Sequence, residues 1–220
     1  MQRSDGIPVP SSFSGIASNR AMGGFVHAMS GGSRLQAWQN KQLVIVVYEQ
    51  GSVVGLANDP APFHFRYDEV SSFTQDVVKR YVNQSYRGIS TTCWIGLNDG
   101  RSHRFQGQST RTERNVVDDF RQLVDPRIAA AQFPGMLAMM RQGQAVAFGA
   151  YVLEPGALTT GTGRKHKRLP WAQVEQVTLE RGLVKVTERG RRRAWATAST
   201  SAVPNLTAFF NLVREAQAGR

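Results

Sequence analysis

Two runs of basic side chains carry the densest chemistry in the sequence: Arg164-Lys165-His166-Lys167-Arg168 and Arg189-Gly190-Arg191-Arg192-Arg193. Gly161 and Gly163 precede the first run. Cations on a flexible loop can close around phosphate oxygens or lie on an anionic bilayer, where each contributes roughly 1 kcal/mol. The candidate anion contacts are therefore Arg164, Lys165, Lys167, Arg168, Arg189, Arg191, Arg192 and Arg193. The competing reading is a pair of solvated hairpin loops whose charge opposes aggregation. If both loops reach the same end of one folded unit they make one patch; apart, each is weak.

The charge balance points the same way. The formal net charge is +11, and it is uneven: residues 144–220 hold 12 Lys and Arg against 5 Asp and Glu, whereas the preceding 143 residues hold 15 against 11. A basic surface favours anionic partners such as nucleic acid, phosphoinositides or an acidic membrane face.

Catalytic chemistry finds little support. His27, His64, His103 and His166 are scattered, with no metal-ligand spacing. The one cysteine, Cys93, lies between Thr92 and Trp94 in a predicted strand and reads as a buried, inert thiol that has no disulfide partner in the chain. Gly161-Thr162-Gly163-Arg164-Lys165 lacks the spacing and the following helix of a phosphate loop. Asp68-Glu69 and Asp118-Asp119 are adjacent pairs, which point to different faces in strands and helices alike. No catalytic residue, metal or cofactor is expected.

The elements that must position the basic loops form a repeat. Tyr67, Val70 and Phe73 are echoed 104 residues later by Trp171, Val174 and Val177, whereas Gly100 and Phe105 are echoed 90 residues later by Gly190 and Trp195. The change implies a deletion of about 14 residues in the second copy. Residues 1–37, rich in Ser, Gly, Ala and Asn, read as a flexible arm that docks near Arg34-Leu35-Gln36-Ala37-Trp38. The first unit, 38–143, begins with a hairpin, Leu43–Tyr48 and Ser52–Leu56, followed by one strand over Phe63–Phe73. Two more strands, Val77–Tyr86 and Ser90–Leu97, lead to an Asp99-Gly100 turn. A helical segment over 113–142, interrupted or kinked at Pro126, closes that unit. The second unit, 144–218, repeats the order and ends in a helix over 203–217, with Pro204 in its first turn and Leu206, Phe209, Phe210 and Val213 on one stripe. In the second unit Trp171 and Trp195 fall on core parity.

Antiparallel strands closed by one C-terminal amphipathic helix predict an α+β protein of two similar units, each a strand meander or barrel. The segments Tyr48-Glu49-Gln50-Gly51, Tyr67-Asp68-Glu69-Val70, Tyr81-Val82-Asn83, Arg141-Gln142-Gly143, Phe148-Gly149, Leu169-Pro170-Trp171 and Val203-Pro204-Asn205 carry a narrower likeness. Over about Trp38 to Arg214 the chain resembles an uncharacterised bacterial family with tandem pleckstrin-homology-like (PH-like) repeats. That resemblance implies the fold and brings no activity with it. In lipid-binding PH-like proteins the basic residues sit between the first two strands; here the loops read in that place, Glu49-Gln50-Gly51 and Glu154-Pro155-Gly156, are not basic.

The expected function is that of a non-enzymatic adaptor holding a protein partner. The alternative is a peripheral membrane protein that binds anionic lipid through the basic loops 164–168 and 189–193; nucleic-acid binding is a third reading. No run of about 18 apolar residues and no secretory leader is apparent, so a cytoplasmic location is expected, membrane-peripheral under the alternative.

Overall fold

The computed structural model describes residues 7–31, 43–109, 115–160 and 166–219. The fold is α+β, with antiparallel sheets and, among the described residues, three α-helices of which the last is C-terminal. The chain divides into two compact units: unit 1 is Met1–Ser71 with Val77–Arg127, and unit 2 is Ser72–Asp76 with Ile128–Arg220. No helix among the described residues is long and apolar enough to cross a membrane.

Unit 1 opens with helix α1 (Ser11–Asn19) and a four-stranded sheet in the order β1 (Phe25–Gly31), β2 (Leu43–Tyr48), β3 (Gly51–Leu56), β4 (Phe63–Arg66). The β-branched run of β2 is buried on both faces, as a central strand with an unbroken apolar sequence must be. Phe13 and Ala17 of α1 pack in one cluster with Val44, Val46 and Val53. Residues 11–31 are thus ordered elements where a flexible arm was expected. Phe13 and Ala17 stand one helical turn apart, and Phe13 is fully buried, which outweighs the Ser- and Gly-rich composition around it. The docking expected at Arg34–Trp38 lies outside the described residues.

The strand expected over Phe63–Phe73 is broken. A 3-10 turn, Tyr67–Glu69, separates β4 from β5 (Val70–Val82) and resets the alternation of faces. Buried Tyr67 uses the break: its backbone N–H donates to Gln50 O at 3.0 Å, and its hydroxyl reaches Tyr48 O at 3.0 Å and Gly51 O at 2.9 Å. Then β5, β6 (Ser85–Leu97) and β7 (Ser102–Ser109) form a three-stranded sheet. The β5–β6 turn is Asn83-Gln84, with φ of 47° and 63°, rather than the break after Tyr86 that the sequence suggested. Helix α2 (Val116–Arg141) starts at Asn115, whose side chain accepts from the N–H groups of Val117 and Asp118. It runs on through Pro126 as one helix, without the interruption that was one of the two outcomes expected there. Proline denies the Gln122 carbonyl its usual donor, and next to it the Arg127 guanidinium donates to Leu123 O at 2.6 Å.

Unit 2 contains a second four-stranded sheet, β8 (Val146–Phe148), β9 (Tyr151–Glu154), β10 (Ala157–Thr160) and β11 (Lys167–Pro170), paired in sequence order. A 3-10 turn, Trp171–Gln173, leads to the sheet β12 (Val174–Glu180), β13 (Leu183–Glu188), β14 (Ala194–Ser199), and helix α3 (Leu206–Ala218) follows. Phe209 of α3 meets Phe148 edge-on and stacks on Tyr151 in a core that also holds Leu153, Trp171, Val184 and Leu212. The β8–β9 turn needs Gly149: its φ is +58°, and a Cβ there would sit 2.3 Å from Ala202 O. Pro204 precedes α3 instead of lying in its first turn.

Among the described residues the order four strands, a 3-10 turn, three strands, a helix occurs twice; in the second copy a further 3-10 turn, Thr200–Ala202, precedes α3. Trp171 repeats the role of Tyr67, its Nε1 donating to Glu154 O at 2.8 Å and its backbone N–H to Gly156 O at 3.2 Å. β5 and β6 have 13 residues each, against 7 and 6 in β12 and β13, so the second hairpin is 13 residues shorter. The matched bonds Asn98 N–H to Glu69 O and Arg189 N–H to Gln173 O pair Asn98 with Arg189, one residue off the register set by Gly100 and Gly190. The strands form open four- and three-stranded sheets, and no closed barrel is present among the described residues.

Candidate functional site

The basic runs meet, in part, on unit 2. The start of β11 and the turn from β13 to β14 line a groove of about 410 Å³ that brings together Lys167, Arg168, Arg191, Arg193 and Trp195. Lys167 Nζ donates to Trp195 O at 3.4 Å, which ties the two segments. Arg189 and Arg192 are exposed and do not line the groove. Arg164 and Lys165 lie outside the described residues.

Counter-charges temper the groove. Arg168 Nε donates to Glu154 at 3.0 Å, and Arg191 pairs with Glu188 at 2.9 Å. Lys167 and Arg193 have no carboxylate partner among the described residues, so they are the cations most available to an incoming anion. Trp195, expected in the core, is half-buried: it packs against the core cluster and also lines the groove. Trp171 is buried, as its parity suggested. Cys93 is fully buried, and that burial pushes its thiol up to about 12. No group of three or more His, Cys, Asp or Glu side chains among the described residues could hold a metal ion.

A second feature of unit 2 has no counterpart in the sequence reading. A trough of about 680 Å³ runs between β12 and α3, lined by apolar Val177, Leu179, Phe210 and Val213 and by polar residues that include Glu175 and Arg214. β12 is the edge of its sheet and pairs only with β13 among the described residues. The two-residue turn Arg181-Gly182 makes Glu180 and Leu183 a hydrogen-bonded pair, so Thr178 also bonds to β13. Val177 and Leu179 then aim their N–H and C=O groups away from β13, along the trough. No single residue marks such an edge; it follows from the order of strands and the parity of the hairpin.

The position matched to Val177 is Phe73, and there the outward groups are taken. Phe73 N–H donates to Asn205 Oδ1 at 2.8 Å, and Asn205 N–H donates to Phe73 O at 2.8 Å, both residues belonging to unit 2. Asn205 has left-handed backbone angles, φ 52° and ψ 49°, at the start of α3. Asparagine tolerates that conformation better than other side-chain-bearing residues.

No curated protein matches the chain. Residues 34–220 match the model of a family of unknown function, and the chain accordingly belongs to that family, DUF6585.

Proposed function

We propose that the protein is a non-catalytic adaptor built on two PH-like units, and that it holds a protein partner by adding an extended segment of it to the free edge of β12. The repeated order of four strands, three strands and a helix supports the PH-like reading. The observation that carries the binding reading is the contrast between matched strand positions. At Phe73 the outward N–H and C=O are satisfied by Asn205, whereas at Val177 and Leu179 the same groups face a trough. Outward amides two residues apart offer the spacing that an added strand uses, and pockets alongside select alternate side chains. Val177, Leu179, Phe210 and Val213 are the apolar part of a lining that also holds Glu175, Glu180, Asn211 and Arg214, so the segment bound alternates apolar residues with polar ones.

A random-peptide library panned on the protein tests this. Selected peptides are expected to alternate apolar and polar residues. Val177→Pro removes an outward N–H while leaving the β13 ladder intact, a position proline accepts in an edge strand. It is expected to weaken the selected peptides by at least about tenfold, on the scale of lost backbone hydrogen bonds. Equal binding to both proteins would sink the reading.

The convergence of Lys167, Arg168, Arg191 and Arg193 favours a second reading, attachment to an anionic membrane face. Co-sedimentation with phosphatidylserine vesicles, lost at moderate salt and in Lys167→Glu with Arg193→Glu, is its expected outcome.

A further inference from the structure

The β5–β6 hairpin extends well past its sheet. The last described pair of β7 is Ser109 with Ile89, and beyond it two strands are present among the described residues. The Asn83-Gln84 turn sets Tyr81 opposite Tyr86, whose rings meet edge-to-face at 5.8 Å, and by the same register sets Arg80 opposite Arg87. Val77, Val78 and Tyr81 are 46%, 50% and 59% exposed, so both faces of the ribbon are open to solvent. The matched hairpin of unit 2 is 13 residues shorter, so this kind of sheet does not need the extension to form.

The Tyr81–Tyr86 pair supports the ribbon, whereas its charges work against it. Like charges placed opposite one another destabilise a strand pair, yet Arg80 and Arg87 face each other, with Lys79 on the opposite face of the ribbon; Arg80 bonds in addition to the Gln108 side-chain oxygen. Asp76 is the one carboxylate of residues 76–88. The tip is Asn83-Gln84-Ser85, all exposed and all able both to donate and to accept hydrogen bonds. Such a tip is unsuited to acyl chains, which counts against membrane insertion. A cation-flanked ribbon suits a duplex instead. The major groove is about 12 Å wide and admits a two-stranded β-ribbon, and amide side chains read base edges there.

We propose that the ribbon Lys79–Gly88 enters the major groove of double-stranded DNA, with Lys79, Arg80 and Arg87 on phosphates and Asn83 and Gln84 at the base edges. The binding is separate from the peptide edge of β12 and does not depend on it.

Fluorescence anisotropy with a labelled 20-base-pair duplex tests the proposal on the full chain. Binding is expected at low salt, with log K falling linearly against log salt. Arg80→Gln with Arg87→Gln is expected to lower that slope by about 2, since each phosphate contact contributes about 0.9. A variant whose hairpin is cut by 13 residues to the length in unit 2 is expected to lose at least about tenfold in affinity, with far-UV circular dichroism checking that it folds. Lys167→Glu with Arg193→Glu is expected to leave the ribbon's share of the slope in place. The proposal is overturned by no duplex binding at low salt, or by undiminished binding in the shortened or Arg-to-Gln variants. It is equally overturned if single-stranded DNA or phosphatidylserine vesicles are preferred to the duplex.

Discussion

Asn205 holds the backbone of Phe73 twice, its Oδ1 accepting the Phe73 N–H and its own N–H donating to the Phe73 carbonyl, each at 2.8 Å. One residue thereby occupies a strand position as an added strand would, and its left-handed backbone also starts α3. Two variants separate these duties. Asn205→Gly keeps the conformation and removes the side-chain acceptor, leaving a buried N–H unpaired at an expected cost of about 1–3 kcal/mol. Asn205→Ala adds the left-handed penalty of roughly 1–2 kcal/mol. Urea unfolding is expected to rank wild type above the glycine variant and the glycine variant above alanine; alanine equal to glycine would remove the conformational part of the account.

Tyr67 and Trp171 perform one task with different atoms. Each sits at the start of a 3-10 turn and sends a polar group back to the preceding hairpin turn. Burial pushes the Tyr67 hydroxyl up to about 12, partly offset by Ser52 and Arg127, so it remains a donor at neutral pH. Tyr67→Phe and Trp171→Phe are each expected to cost about 1–3 kcal/mol. Denaturant midpoints check this, and a neutral Tyr67→Phe would contradict it.

The repeat was legible because Tyr67, Val70 and Phe73 and their partners 104 residues on are apolar anchors at fixed spacing. The 3-10 turns were not, since Phe63, Phe65 and Tyr67 alternate as a continuous strand would, and only the bond from Tyr67 to Gln50 shows the break. α1 was hidden by Ser, Gly and Asn, whose composition suggests a loop while Phe13 and Ala17 supply the buried face. The basic groove was half legible: the runs are plain in the sequence, but their meeting depends on the start of β11 reaching the turn from β13 to β14, two strands apart in the chain and in different sheets. The β12 edge was invisible, because an unpaired strand edge is a property of topology.

His103 stacks on Phe63 at 4.8 Å with an interplanar angle of 16°. Burial lowers its pKa below the usual 6.5, opposed in part by Asp59. The native state therefore binds fewer protons than the unfolded chain just below that value. Stability from the neutral ring is fully present above about pH 6.5 and is lost as pH falls toward the native pKa. Urea midpoints at pH 7.5 and 5.5 are expected to fall further for wild type than for His103→Gln; identical falls would contradict the account.

Cys93 is expected to be unreactive in the folded protein, since the thiolate is the nucleophile and burial disfavours it. A chromogenic disulfide reagent should label it slowly in buffer and within minutes in denaturant. Fast labelling of the native protein would show that the β6 core opens readily.

Amide hydrogen exchange, read residue by residue with and without a library-selected peptide, bears on the β12 edge most directly. In the free protein the Val177 and Leu179 amides are expected to exchange freely while Phe73, held by Asn205, is protected. With peptide bound, Val177 and Leu179 should become protected and Phe73 should not change. Val177 and Leu179 amides that stay unprotected with peptide at saturation, or that are already protected without it, would contradict strand addition at this edge.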